Sequence, residues 1–131
     1  MDYQTAVKVA SGFGGGMYLG SVCGAVTGGI MAIGLKHGGT DKASSAEVTR
    51  RVRELADRFK AQHKSINCPE LTGVDVSNPE IVKKLSADLS KPENLKAATE
   101  VLGGRDIKQL FAACASYVKD AATITNELVT T

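Results

Sequence analysis

The run LGSVCGAVTGGIMAIGLKHG, residues 19–38, admits three physical readings, and the rest of the chain follows from the choice among them. Gly16, Gly20, Gly24 and Gly28 fall at every fourth position, Cys23 stands among them, and no charged residue lies between Lys8 and Lys36. As a membrane span, Met17 to Leu35 has the length a bilayer requires, and small residues at fourth positions let helices approach one another. Five glycines together with Ser21 and Thr27 leave it weakly apolar, however, and it lacks an aromatic belt at both ends and a Lys/Arg bias. As a phosphate cradle, GFGGGM (12–17) offers flexible N–H groups ahead of a helix. It matches neither the dinucleotide fingerprint nor the P-loop, and no strand precedes it.

The third reading, a buried glycine-rich helix from about Gly20 to Lys36, fits best. One side carries Gly20, Gly24, Gly28 and Ala32, and the other Val26, Ile30, Ile33 and Leu35. Each glycine costs a helix about 1 kcal/mol relative to alanine. A ladder of them therefore implies that a second backbone or a cofactor comes close. Cys23 then falls in the first turn, where the helix dipole and free N–H groups favour a thiolate.

Working outward, SSAEVTRRVRELADRFKAQ (44–62) opens with a capping box, Ser44 to Glu47. Val48, Val52, Leu55, Ala56 and Phe59 mark its apolar face, and four-residue charge pairs such as Glu47–Arg51 and Glu54–Arg58 lace the other. From Ile107 to the C-terminus, Leu110, Phe111, Cys114, Val118, Ala121 and Leu128 form another helical stripe, preceded by the break Gly103-Gly104. Between these lie SNPEIVKKLSADL (77–89) and SKPENLKAATEVL (90–102), which align as a small repeat with Pro in the first turn of each unit. No stretch alternates with a two-residue period. The expectation is an all-α fold, a compact bundle of five to six helices within a single domain, 1–131, with 75–105 as a candidate inserted pair of short helices.

The chain's 131 residues suit one domain, and with six Phe and Tyr and no Trp the core must be aliphatic. A net charge of +2 gives no reason to expect nucleic acid or anionic lipid. The start, MDYQTAVKVA, has neither the basic opening nor the apolar block of a secretory signal. Three cysteines, odd in number and far apart, do not make a secreted disulfide scaffold, so the expected compartment is the cytoplasm.

Cys68 in INCPEL (66–71) follows a plausible N-cap, Asn67, and precedes Pro69, a second setting at a helix start. Cys114 lies on an apolar stripe and is expected to face the core. His37 and His63 stand near helix C-termini, where a cation is merely favoured, and are assigned no chemistry. No two cysteines show the two-to-four-residue spacing of a structural zinc site. Neither a catalytic triad nor a paired-carboxylate site is indicated.

Taken together, ASGFGGGM and GSVCGAVTGGIMAIGLKHG (within 10–38), FKAQHKSINCPELTG (59–73) and CASYVKDAATI (114–124) resemble the C_GCAxxG_C_C family, to which a redox role is ascribed. The central Cys-Gly-Ala-x-x-Gly is Cys23-Gly24-Ala25-Val26-Thr27-Gly28, while Cys68 and Cys114 match the family's later cysteines. The resemblance weakens across 75–105. It implies a redox or electron-transfer role, a redox partner protein and an iron–sulfur cluster as cofactor. Cys23, Cys68 and Cys114 would be the ligands, with Gly24 and Gly28 beside them, or Cys23 and Cys68 would act as redox thiols without metal. It also implies a first cysteine on a helix ahead of VASGFGGGM, which this sequence lacks, so a short form holding three of four ligands is expected. The small-residue face suggests a homodimer, and no membrane span is expected. Any catalysis would be electron transfer or thiol–disulfide exchange. The rivals are a non-catalytic assembly subunit that kept the fold without the cofactor, and a membrane-anchored helix.

Overall fold

A computed structural model describes residues 1–131. The chain forms seven α-helices: α1 (Tyr3–Ala10), α2 (Gly24–His37), α3 (Lys42–His63), α4 (Cys68–Thr72), α5 (Pro79–Leu85), α6 (Pro92–Val101) and α7 (Ile107–Val129). The all-α class is as expected. The helix beyond the expected range is α1, whose eight residues bury nothing and so left no stripe pointing to a core. No helix is long and apolar enough to cross a membrane.

Helices α2, α3 and α7 pack pairwise around the main core of Val26, Ile33, Leu55, Phe59, Ala121, Ile124 and Leu128. The apolar stripes of α3 and α7 supply five of these seven, and α2 supplies Val26 and Ile33. Helix α2 begins at Gly24, later than the expected Gly20, so Cys23 is its N-cap residue and not part of its first turn. Gly20 lies in a loop with φ 67°, and Leu35 is exposed.

The ladder takes close backbone neighbours at Gly16 (Ser21) and Gly24 (Phe13), but it is not where the core helices meet. A methyl at Gly28 would meet nothing within 4 Å, whereas one at Gly29 would sit 2.5 Å from Thr125 Oγ1 and 2.8 Å from Leu55 Cδ2. The three core helices meet at Gly29; on the ladder face of α2 a methyl at Gly24 would lie 3.1 Å from the Phe13 carbonyl oxygen, while Gly28 opens on space.

Several caps differ from the sequence reading. Asp41 caps α3, accepting from the Ser44 N–H at 2.9 Å, which leaves Glu47 free to bind Arg50 and Arg51. Asn78 caps α5. Arg51 is buried and donates to the Leu128 carbonyl, tying α3 to the end of α7.

The tandem repeat becomes α5 and α6, each with proline in its opening turn. A second core of Val74, Ala98, Leu102 and Ile107 lies under them. Arg105 reinforces this side by donating to the Thr72 carbonyl at 2.8 Å, where α4 ends.

Candidate functional site

The segment between α1 and α2 is irregular backbone. After a 3-10 turn at Ser11–Phe13, Gly15, Gly16, Met17 and Tyr18 run through left-handed backbone, with φ of 59, 65, 63 and 54°. Glycines take this conformation freely, while Met17 and Tyr18 each pay about 1–2 kcal/mol for it. A side chain at Gly16 would collide with the Ser21 backbone. The loop thereby brings Ser21, Val22 and Cys23 alongside residues 66–68.

There the chain makes an isolated antiparallel bridge between Val22 and Asn67. The Cys23 N–H donates to the Ile66 carbonyl at 2.7 Å, and the Cys68 N–H donates to the Ser21 carbonyl at 2.8 Å. This two-residue contact fixes the starts of α2 and α4 side by side, with a cysteine at each.

Cys114 comes from the other wall, on α7. Cys23, Cys68 and Cys114 all line one cavity of about 430 Å³, together with Gly24 and Gly28 on α2 and apolar side chains such as Val74, Leu110 and Val118. No Asp, Glu, Lys, Arg or His lines it. Cys23 and Cys114 are half-buried, Cys68 is buried, and all three are free thiols.

Burial raises the Cys68 thiol above its ordinary pKa, and the Cys23 sulfur adds to the rise. The Thr72 hydroxyl, 4.0 Å from the Cys68 sulfur, opposes it. Burial likewise raises Cys114, with Cys23 and Cys68 contributing in that order. The sequence expectation of a favoured thiolate at Cys68 is thus overturned. Helix α4 has only five residues, and desolvation outweighs what its short dipole offers.

The sequence reading missed Tyr117, one turn beyond Cys114. Its hydroxyl donates to the Leu71 carbonyl at 2.9 Å, tying α7 to α4 across the cavity wall. Burial, then Cys114 and Cys23, raise its pKa. Its ring packs edge-on to His63, 4.8 Å between centroids. His63 Nε2 lies 2.8 Å from Asp120 Oδ2, so this histidine is a packing and hydrogen-bonding residue as well as a helix-end one. A single signal pointed to Tyr117, its place three residues after Cys114 on the same stripe.

No three His, Cys, Asp or Glu side chains lie close enough to hold one metal ion, so the arrangement does not suit a mononuclear centre. What the cavity does offer is three soft sulfur donors in apolar, uncharged surroundings, the donor type from which sulfur-bridged metal groups are held.

In this small helical protein three cysteines distant in sequence open into one apolar cavity. A family model described as "Putative redox-active protein (C_GCAxxG_C_C)" matches residues 1–128, and the chain belongs to this family. Helix α1, which runs into the glycine block, contains no cysteine. No curated protein and no solved structure matches the chain.

Proposed function

We propose that this protein is an electron carrier whose Cys23, Cys68 and Cys114 hold an iron–sulfur cluster in the shared cavity. The observation that carries this reading is the convergence of three thiols, from three separate parts of the chain, on one uncharged apolar space. When bound, such a cluster supplies one-electron transfer at a potential set by its burial and hydrogen bonding. The chain's own part is to supply thiolates and exclude water. Because burial holds Cys68 and Cys114 protonated, loading the site releases protons and is favoured as pH rises. Cys23 caps a fourteen-residue helix, whose positive end favours negative charge there. A redox partner protein accepts or delivers the electron.

A second reading draws on the lack of any three-ligand group close enough for a single ion. Here two of the thiols close to a disulfide, giving two electrons and two protons to a disulfide of the partner protein, which becomes a dithiol. The backbone bridge beside Cys23 and Cys68 favours that pair.

Anaerobic purification with iron and acid-labile sulfide analysis separates the readings. Iron and sulfide in the wild type, lost in Cys23→Ser and Cys68→Ser, is the expected result. A metal-free protein whose thiols oxidise reversibly supports the disulfide reading. A metal-free protein with inert thiols overturns both and leaves the assembly-subunit reading.

A further inference from the structure

The N-terminal helix α1 meets the rest of its own chain only near its end, where Ala10 lines the cysteine cavity. None of its residues is buried: Tyr3 is 82%, Val7 50% and Val9 55% exposed. Yet it is patterned for burial, with Tyr3, Ala6, Val7 and Ala10 on one face. Eight residues are also too few to hold a helix alone in water, where about 12–15 are marginal. Its Asp2 cap helps without removing the need for a surface to pack on.

The same chain carries an apolar surface without a cover. On α7, Phe111 and Val118 flank Cys114 and border the cysteine cavity, and they are 52% and 55% exposed. The surface of the whole chain agrees. Its accessible area is 8213 Å², whereas a folded monomer of 13.7 kDa is expected to expose about 6,600 Å². The excess, about 1,600 Å², exceeds the roughly 800 Å² that each partner buries in a standard interface.

We infer that two copies of this chain exchange their α1 helices, each α1 packing through Tyr3 and Val7 on the Phe111–Val118 face of the other. The occupant is a second copy because this one chain carries both halves of the contact, an exposed apolar helix face and an open apolar face. A two-fold arrangement then satisfies both at once. Each α1 covers the mouth of its partner's cysteine cavity, which completes the apolar enclosure. The inference concerns assembly alone and stands whatever the thiols do.

Sedimentation equilibrium of the full chain over a wide concentration range, paired with amide hydrogen exchange of α1, tests it. The expected species has twice the 13.7 kDa mass, with α1 amides protected at high concentration and exposed on dilution. Val7→Asp and Phe111→Asp should each weaken the dimer by about 30-fold or more, as charging a buried anchor does. Val7 is half-exposed and belongs to neither core, so helicity should fall by no more than α1's share. Mixing the two variants should restore a heterodimer, since one of its two contacts is then wild type. Three results would overturn the inference. The first is a monomer at every concentration, whether α1 is protected or not. The second is a dimer indifferent to both substitutions, which places the interface elsewhere. The third is a mixture that fails to recover, which implies direct contact between the two α1 helices.

Discussion

At the scale of single residues, what matters is how the cavity treats its sulfurs. Cys68 is buried behind the Val22–Asn67 bridge, and its thiol is raised by desolvation and by the Cys23 sulfur. Cys114 is half-buried and raised for the same first reason. A raised thiol pKa means less thiolate at any given pH, and the thiolate is what reacts. In the reduced, metal-free protein, alkylation of Cys68 should therefore be slowest. The rates for Cys68 and Cys114 should still be climbing at pH 9.0, the ordinary thiol value. Cys23→Ser removes one of the two influences that raise Cys68 and should move its reactivity profile to lower pH. Peptide-resolved alkylation followed by mass spectrometry reads all three sites together. A Cys68 that reacts as fast as an unfolded control at neutral pH would contradict its burial.

At the scale of elements, α2 is the test of why the glycines are there. Gly29 sits where α2, α3 and α7 converge, against Thr125 and Leu55, while a methyl at Gly34 would meet nothing. Gly34→Ala should gain up to about 1 kcal/mol of helix propensity. Gly29→Ala should lose about 1–3 kcal/mol to overpacking despite the same propensity gain. Urea unfolding of the two variants beside the wild type checks the opposite signs, and equal signs would mean that the three helices do not meet at Gly29. This contrast also marks how far the sequence could be read. The helices of residues 42–63 and 107–129 were legible because periodic apolar residues and paired charges are local signals. The true cap, Asp41, lies three residues before the Ser44 that looked like one. The ladder at every fourth residue was visible, but which glycine meets a neighbour depends on how α3 and α7 are placed around α2. Each cysteine was a candidate from its local setting. Their convergence was not legible from spacing, because Cys23 and Cys68 are joined by a two-residue bridge between segments that show no strand pattern. Tyr117 was hidden for a similar reason, since its importance lies in a bond to Leu71 on a distant helix.

At the scale of the whole molecule, two cores share one chain, and the cavity lies where they adjoin. The larger core is closed at its far end by Arg51, which is buried and donates to the Leu128 carbonyl and to Glu47 Oε1, the latter at 2.6 Å from Nε. Arg50 also donates to Glu47 at 2.8 Å. Bonds from these two guanidinium groups, Arg50 first, hold the Glu47 carboxyl at about 2, down from 4.5. A folded-state value below the unfolded one means that the contribution is complete above about pH 4.5 and is lost as pH falls towards 2. The helix-capping carboxylates Asp2 and Asp41, lowered by hydrogen bonds from Thr5 and Ser44, act in the same direction. The urea midpoint should therefore fall across this acid range, and Glu47→Gln should make the fall shallower without abolishing it. Glu47 is half-exposed, so solvent screening keeps this contribution modest, and the same substitution should remove at neutral pH the same modest stability that the wild type loses in acid. Arg51→Met behaves differently. It removes a buried cation together with its bonds to Leu128 and Glu47, so its effect should appear at neutral pH as a loss of about 1.5–3 kcal/mol. Unfolding curves collected at several pH values for wild type and both variants separate the two residues. If Glu47→Gln leaves the acid slope unchanged, the link between α3 and the end of α7 depends on Arg51 and the Leu128 carbonyl, with no help from the carboxylate.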